Sequence, residues 1–232
     1  MSDKIFMKGK WKNLIIKTFS CQPKTVEQYL PKDVVLDLYE DKALFSMVAF
    51  TFSSVHFFGI KIPFHQRFGE INFRVYVKSK INGRKGVVFL KEYAPKPIIV
   101  LIAKYIYNEP FYFHKIKQEI KLEKSIKNIN YSFKLNNKNN YIKATVNLKE
   151  LKTSNNFLQN FIVDRYIAFV KGKKTLEYQI LHKPWKIYKT IETNISNEVL
   201  NLLPKQFKKS EELNTYVVNG SSIKIKKGIL NE

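Results

Sequence analysis

One strand-like segment, residues 68–77, carries the side chains best suited to bind and transform a small molecule. Its residues alternate, so that one face of a strand is apolar and the other presents a carboxylate, an amide, a guanidinium and a phenol. This second face consists of Glu70, Asn72, Arg74 and Tyr76. A carboxylate can donate or accept a proton, and a planar guanidinium binds an anion through two hydrogen bonds. The pattern predicts a ligand site in which Glu70 is the acid or base, Arg74 holds a carboxylate, and Asn72 and Tyr76 orient the ligand.

The dipeptide Asn82-Gly83 is the strongest hairpin signal in the chain and joins this segment to a second strand over residues 85–93. A two-residue turn there places Arg74 opposite Lys91, Asn72 opposite Tyr93, and Tyr76 opposite Phe89, so that Phe89 and Tyr93 complete the site. In a dry pocket Arg74 would disfavour protonation of Lys91, and a neutral amine can form an imine with a carbonyl substrate. Lys91 is therefore the second catalytic candidate. It depends on this register, because a slip of one residue turns its side chain to the opposite face.

Three other features of the sequence bear on this site. The alternation alone is also typical of a solvated sheet face on which Arg74 and Glu70 merely pair. Glu92 alternates to the face opposite Lys91 and Glu109 is expected at a helix end, so the spacing does not support a carboxylate pair with Glu70. Arg165 either reaches the pocket or pairs with its neighbour Asp164, and Trp11 and Trp185 are weaker candidates for an apolar wall.

Neither a metal nor a cofactor is expected. The four histidines lack metal-binding spacing, and neither a glycine-rich dinucleotide fingerprint nor a P-loop is present. We therefore predict a site made of side chains alone.

The elements around this site are mostly strands. The segment Pro95-Lys96-Pro97 is predicted to start a helix that ends before Glu109-Pro110, and the second half of the chain is again predicted to be largely strand. About ten antiparallel strands with three or four helices indicate an α+β fold, mostly antiparallel β, closed or half-closed into a barrel. No repeat or long linker divides the chain, so residues 1–232 are expected to form a single domain.

Composition limits the classes of function. The chain has 41 Lys and Arg against 19 Asp and Glu, a net charge of +22, yet only four of the cations are arginine. Such a charge allows a second interpretation, a basic surface protein that binds nucleic acid or anionic membrane, although phosphate recognition favours arginine. No transmembrane or targeting segment is visible, and the single Cys21 fits a reducing compartment, so a cytoplasmic location is expected.

Several segments resemble the YqjF-like family of uncharacterised proteins, which is domain-of-unknown-function family 2071. They are FGEINFRVYV from Phe68, GVVFLKEYAP from Gly86, AKYIYNEPF from Ala103, FIVDRY from Phe161 and His182-Lys183-Pro184-Trp185, together with Trp11 and Tyr29-Leu30-Pro31. The resemblance spans nearly the whole chain. It implies a fold similar to acetoacetate decarboxylase, a two-layered antiparallel barrel with flanking helices and an internal cavity, and no established reaction.

What the decarboxylase resemblance implies for the site is limited. Glu70 looks like the acidic residue that lines the cavity of that enzyme. The enzyme places two adjacent lysines after a Phe-Pro pair and forms a Schiff base on the first, whereas this sequence has Phe111-Tyr112 after Pro110. The resemblance therefore argues against a Schiff-base decarboxylase, with Tyr112 as a ligand-binding candidate at the changed position.

Taken together, we expect a cytoplasmic barrel protein that binds a small, carboxylate-bearing molecule in an internal cavity. Glu70 and Lys91 are the catalytic candidates, whereas turnover and oligomeric state are left open. The ligand-binding candidates are Asn72, Arg74, Tyr76, Phe89, Tyr93, Tyr112 and Arg165. Besides the basic surface protein, a barrel filled by its own side chains, with a role in assembly, is the remaining alternative.

Overall fold

The computed structural model describes residues 4–152 and 156–230, and most of these lie in one 15-stranded sheet. The first half of the chain supplies β1 (Ile5–Cys21), α1 (Lys24–Glu27), β2 (Val34–Leu36), β3 (Ala43–Phe57), β4 (Ile60–Lys61), β5 (Arg67–Ser79), β6 (Lys85–Ala94), α2 (Pro97–Tyr107) and β7 (Phe111–Phe113). The second half supplies β8 (Ile116–Glu123), β9 (Ile126–Leu135), β10 (Lys138–Lys152), α3 (Phe157–Val163), β11 (Ile167–Val170), β12 (Leu176–His182), β13 (Ile187–Ile195), β14 (Glu211–Lys226) and β15 (Ile229–Leu230). Two 3-10 helices, Asn197–Leu202 and Lys205–Lys209, connect β13 to β14.

The sheet closes on itself. Its strands follow the order β12-β11-β6-β5-β3-β1-β14, and β14 also pairs with β12 through Ile225 and Ile180. Nearly all pairs are antiparallel; β6 pairs in parallel with β11 and with β7. The closure leaves the ring without a free edge between these strands, which removes a common site of unwanted strand addition.

A second layer covers one side of the ring. Strands β13, β10, β9 and β8 continue the sheet beyond β14 and fold back so that β8 contacts β5. The first hydrophobic core lies between this layer and the outward residues of the ring, for example Phe73 of β5 and Tyr131 of β9. The second core fills the ring itself, and both α2 and α3 contribute to it through Ile99 and Ile162.

The predicted fold class is confirmed, as is the alternation along β5. Ile71 and Phe73 belong to the core between the layers, whereas Tyr76 belongs to the core inside the ring, and all of β5 from Phe68 to Val77 is buried. A solvated sheet face is therefore the wrong interpretation of this strand, because the closed ring, together with α2 and α3, buries the polar face of β5.

The predicted two-residue turn at Asn82-Gly83 is wrong. The last pair of the β5–β6 hairpin is Lys78 with Lys85, and the amide of Ser79 donates to the carbonyl of Arg84 at 2.9 Å. The loop is thus four residues long, Lys80 to Gly83. The amide of Lys80 donates to the carbonyl of Asp33, 2.8 Å away, and is therefore not available to pair with β6.

Candidate functional site

A cavity of about 70 Å³ lies inside the ring. Its wall is largely aromatic and aliphatic, with a small group of polar side chains. The aromatic part is Phe6, Trp11, Phe52, Phe57, Phe89, Phe111 and Tyr178. The other polar side chains are Glu70, Asn72, Glu92 and Glu109. An apolar pocket with a few convergent polar groups is the usual form of a small-molecule site.

Glu70 and Asn72 reach the cavity because they occupy successive inward positions of β5. Both are buried, with exposed fractions of 4% and 5%. The Asn72 side chain hydrogen-bonds to the Glu70 carboxyl group. The two polar residues that the sequence placed on one strand face are therefore together in the structure, and both line the cavity.

Glu92 reaches the cavity through a β-bulge in β6. Phe73 pairs with Lys91, but the next residue, Arg74, pairs with Phe89, so Leu90 is an extra residue in β6. A bulge of this kind reverses the alternation of the strand beyond it. Phe89 faces the cavity before the bulge and Glu92 faces it after the bulge, whereas Lys91 is turned away.

Glu109 arrives from the segment between α2 and β7. Helix α2 ends at Tyr107, and the left-handed backbone of the next residue, Asn108 (φ 54°), redirects the chain. Glu109 is then buried, and its carboxyl group accepts a 2.6 Å hydrogen bond from the hydroxyl of Tyr178. The strand that follows places Phe111 in the cavity wall. The carboxyl group at a helix end, discounted in the sequence, is thus part of the site.

The three carboxyl groups share one electrostatic environment. Burial raises the pKa of Glu70 to about 8 and is only partly offset by the hydrogen bond from Asn72, and the charge of Glu109 raises it further. Burial likewise raises the pKa of Glu109 to about 8 against the opposing effect of the Tyr178 hydrogen bond. Glu92 has a pKa well above its usual value because of burial and then the charges of Glu109 and Glu70. At neutral pH these groups are therefore mainly neutral acids, able to donate a proton.

Two acceptor atoms of this cluster lack a hydrogen-bond partner within the described residues. They are Oδ1 of Asn72 and Oε1 of Glu92, and both side chains are more than nine-tenths buried. A buried acceptor without a partner is unfavourable, so these atoms mark places where a ligand donor would be stabilised.

Arg74 and Tyr76 lie inside the ring but do not line the cavity. Arg74 donates from Nη2 to the carbonyl of Ile162 at 2.9 Å and lies over the ring of Tyr76, 5.7 Å from its centroid. The hydroxyl of Tyr76 shares a 2.6 Å hydrogen bond with Ser46. These two predicted ligand residues therefore make contacts with α3 and β3 instead.

Arg165 is held by a buried ion pair. Its Nη1 atom lies 2.8 Å from Oδ2 of Asp37, and its Nε atom donates to the carbonyl of Phe161 at 2.7 Å. Of the two predicted alternatives, neither is observed, because the partner is Asp37 and not the neighbouring Asp164, and the residue does not line the cavity. Asp164 instead accepts a hydrogen bond from the hydroxyl of Tyr166.

Lys91, Tyr93 and Tyr112 lie outside the cavity, which corrects the predicted register. Tyr93 belongs to the core between the layers, and its hydroxyl donates to the carbonyl of Leu202 at 2.6 Å. The Nζ atom of Lys91 lies 5.4 Å from the centroid of the Tyr112 ring, and that ring is 5.7 Å from the ring of Tyr93. The bulge at Leu90 is the physical reason, because it turns these β6 side chains to the other face.

The aromatic wall was predicted in part. Phe89 and Trp11 line the cavity, whereas Trp185 stacks on His182 at 4.2 Å and is not in the wall. Sequence reasoning missed Tyr178 altogether. Tyr178 lies on an ordinary alternating strand, and nothing in its local sequence distinguishes it.

Within the parts of the chain that the structure describes, no group of three His, Cys, Asp or Glu residues is arranged to hold a metal ion. Over the same residues, no helix is both long enough and apolar enough to cross a membrane.

Comparisons with known proteins agree on the fold and the family. The enduracididine biosynthesis enzyme MppR, in complex with pyruvate, aligns over 99% of this chain and 91% of its own, with a TM-score of 0.66 and 10% identity. The acetoacetate decarboxylase of Legionella pneumophila aligns over 99% and 88%, with a TM-score of 0.63 and 11% identity. An acetoacetate decarboxylase-like enzyme of Sphingomonas wittichii aligns over 100% and 94%, with a TM-score of 0.61 and 11% identity.

No curated protein sequence matches the chain significantly. The model of an uncharacterised conserved protein family, DUF2071, matches residues 8–220. This match confirms the family resemblance drawn from the sequence, and the structural neighbours confirm the acetoacetate decarboxylase-like fold. The chain therefore belongs to the DUF2071 family of uncharacterised conserved proteins.

Proposed function

We propose that this protein binds a small organic molecule in the cavity inside the ring. The observation that carries the proposal is the convergence of three buried carboxyl groups, Glu70, Glu92 and Glu109, on one apolar cavity. Burying three ionisable groups near one another is costly, and such groups cluster where a protein needs them for binding or proton transfer. Stability alone does not require them there.

The size of the cavity limits the ligand. A water molecule needs roughly 10–15 Å³ of such volume, so a cavity of about 70 Å³ holds a ligand of about five to seven non-hydrogen atoms. Proteins with this fold handle molecules of that size, since MppR was captured with pyruvate. The match in scale supports a small metabolite and argues against a nucleotide or a peptide.

The structure changes the basis for a carboxylate ligand. The sequence assigned that role to Arg74, but no Lys or Arg side chain lines the cavity among the described residues. A carboxylate would have to be held by donors such as the protonated forms of Glu70 and Glu109. Small acids therefore remain ligands to be tested, without a cationic anchor.

The chemistry open to this cavity is proton transfer. Imine formation needs an amine of the protein beside the ligand. By the resemblance to the decarboxylase, the position of its Schiff-base lysine is occupied by Phe111, which lies in the cavity wall. Glu70 and Glu109, each with a pKa of about 8, hold a proton near neutral pH and can exchange it. Any turnover would therefore use these carboxyl groups as acid and base.

We also propose a reducing, cytoplasmic compartment, because Cys21 is a buried free thiol.

The test is a thermal-shift screen of small oxo acids, carboxylates, amines and neutral carbonyl compounds at fixed ionic strength. A ligand at 100 times its Kd stabilises a protein by about 2.7 kcal/mol, and each kcal/mol raises Tm by about 2–4 °C at this chain length, so a shift of about 5–10 °C is expected.

The matched variants are Ala103→Leu and Lys104→Leu. Ala103 of α2 lines the cavity, so leucine there fills it, whereas the next residue, Lys104, is exposed and leucine there only changes the surface. A true cavity ligand loses its shift in Ala103→Leu and keeps it in Lys104→Leu. A screen without hits, or hits that survive in Ala103→Leu, would contradict the proposal.

A second candidate function rests on a separate observation, an exposed apolar patch at α2. It consists of Phe58, Ile60, Phe64, Ile98, Leu101, Tyr105 and Ile106, and Phe64 is 90% exposed. Phe58, Ile60 and Phe64 precede β5, and the other four residues belong to α2. These two parts are connected by Lys96, the residue before α2, whose Nζ atom donates to the carbonyl of Phe64 at 2.7 Å. Large exposed apolar patches mark interaction sites.

The lysines around the patch favour an anionic membrane surface. Lys61 and Lys104 are exposed beside it, and the adjoining groove, which contains Phe58 and Ile106, is also lined by Lys171, Lys173, Lys174 and Lys227. Apolar side chains that insert at the headgroup level, with lysines that contact anionic lipids, are the two signals of peripheral membrane binding. An apolar patch contributes little to binding a nucleic acid, which makes the membrane the better-supported partner.

Co-sedimentation with vesicles tests this candidate. Binding to phosphatidylserine-containing vesicles, absent with phosphatidylcholine alone and lost in the double variant Phe64→Ser, Leu101→Ser, is the expected result. Ile191→Ser, an exposed isoleucine of β13, is the control and should bind normally. Concentration-dependent self-association abolished by the double variant would assign the patch to a second copy instead and refute the membrane candidate, as would binding of oligonucleotides but not of vesicles.

A further inference from the structure

We infer that the ligand of the cavity is a small organic cation, such as a primary ammonium compound, held between the carboxyl groups of Glu70, Glu92 and Glu109. The inference rests on the proposed function, since it names the ligand class of that same cavity. It reverses the charge that the sequence suggested. Four observations lead to it.

The first observation is the lack of a counter-charge. The ionisable side chains that line the cavity are Glu70, Glu92, Glu109 and Tyr178, contributed by β5, β6, the α2–β7 connection and β12. All four are neutral or negative, and no Lys, Arg or His joins them within the described residues. The chain has 41 Lys and Arg residues, so the cavity lining lacks a cation although cations are abundant in the sequence.

The second observation is that the two arginines inside the ring do not line the cavity. Arg74 donates to the carbonyl of Ile162 and Arg165 pairs with Asp37, whereas Nε of Arg74 and Nη2 of Arg165 lack a partner among the described residues. Neither arginine forms an ion pair with Glu70, Glu92 or Glu109, so a ligand cation would supply the charge that the cavity lining lacks.

The third observation is the hydrogen-bonding character of the cluster. Oδ1 of Asn72 and Oε1 of Glu92 are buried acceptors without a partner in the described part of the chain. An ammonium group carries three donors and no acceptor, so it fits a set of unpartnered acceptors better than a carboxylate, which carries only acceptors. The indole N–H of Trp11 also lacks a partner, so the ligand can carry one acceptor as well.

The fourth observation is the aromatic wall. Trp11, Phe89, Phe111 and Tyr178 line the same cavity, and the faces of such rings attract a cation. Aromatic rings and carboxylates together are the usual surroundings of a bound organic cation. An anion would instead meet the negative faces of the rings, and only protonated carboxyl groups could donate hydrogen bonds to it.

Binding a cation has a definite proton balance. The free cavity holds neutral acids near pH 7, so one carboxyl group gives up its proton to the solvent when the cation enters, and the bound pair is neutral. Affinity for a cation should then rise with pH, up to about tenfold per pH unit between pH 6 and 8, while the amine itself stays protonated. An anionic ligand would show the opposite dependence.

The experiment compares three probes of nearly equal size: n-butylammonium, 1-butanol and butyrate. Isothermal titration calorimetry at pH 7 in two buffers of different ionisation enthalpy gives both the affinity and the number of protons released. We expect n-butylammonium to bind most tightly, with net proton release, and to bind more tightly at pH 8 than at pH 6. Glu92→Gln should weaken its binding at least tenfold, whereas Glu119→Gln, a change to an exposed residue of β8, should not alter it.

The outcomes separate the two proposals. Tighter binding of butyrate or 1-butanol, lost in Ala103→Leu, would keep the ligand-binding cavity and overturn the inference about charge. If none of the three probes binds, both are refuted for ligands of this size. If n-butylammonium binds equally well to Glu92→Gln, and that variant melts like the native protein, the carboxyl cluster is not the cation site.

Discussion

Replacing Glu70 by glutamine should change how the stability of the protein depends on pH. Glu70 is 4% exposed and its pKa is raised to about 8, against about 4.5 for a free carboxyl group. Between these two values the folded protein keeps a proton that the unfolded chain releases. Stability from this group is therefore complete below about pH 4.5 and is lost as the pH rises toward 8.

The size of the effect follows from counting protons. One proton held only by the folded state gives a slope of about 1.4 kcal/mol per pH unit. Glutamine has the same shape and does not titrate, so the slope due to this group disappears. The free energy of unfolding of Glu70→Gln relative to the native protein should then rise by about 2–3 kcal/mol from pH 5.5 to pH 7.5.

Urea denaturation at several pH values and constant ionic strength measures this difference. At an m-value of about 2–3 kcal/mol/M, the relative midpoint should move by roughly 1 M over the two pH units. Glu119→Gln is the control, because its exposed carboxyl group is ionised in both states over this range and the relative midpoint should stay constant. If the curves for Glu70→Gln and the native protein run parallel, Glu70 is ionised in the folded protein and the electrostatic description of the cavity is wrong.

Three further predictions address the scaffold. Asp37→Asn leaves the guanidinium of Arg165 buried without its charged partner and should cost about 3 kcal/mol or more in urea denaturation; a loss below about 1 kcal/mol would show that the pair contributes little. Gly220→Ala should cost more than about 2 kcal/mol, because Gly220 has φ 73° and a Cβ atom would meet the carbonyl oxygen of Trp11 at 2.1 Å; an unchanged Tm would contradict that geometry. Burial raises the pKa of Cys21 to about 11, so at pH 8 its reaction with a thiol reagent should be at least about 100-fold slower in the native protein than in urea, and equal rates would refute its burial.

The strand pattern could be predicted from the sequence because alternation is a local property. Glu70 and Asn72 share one face of β5, as their spacing indicates, and α2 begins at Pro97, the last residue of the predicted start Pro95-Lys96-Pro97. The polar side chains of β5 do share one face, as predicted, and that face is the one inside the ring. The solvated alternative was wrong because the ring closes over this face through the pairing of β12 with β14, a contact between strands far from β5 in the sequence.

The membership of the site could not be predicted in full, because it depends on one extra residue. Because of the bulge at Leu90, Glu92 faces the cavity and the predicted Lys91 and Tyr93 do not. No residue type near Leu90 is diagnostic of a bulge. Glu109 depends on the turn after α2 and on Tyr178, which lies far away in the chain. Side chains that meet through tertiary packing leave no spacing for sequence reasoning to detect.

The bulge also means that β6 can lose one residue without changing which side chains face the cavity. Phe73 pairs with Lys91 and Arg74 pairs with Phe89, so without Leu90 these two pairs would simply be adjacent in the ladder. Regular alternation from Phe89 would then still turn Lys91 away and point Glu92 into the ring. A deletion of this one codon should therefore preserve the acidic cavity and cost only the packing of the Leu90 side chain in the core between the layers.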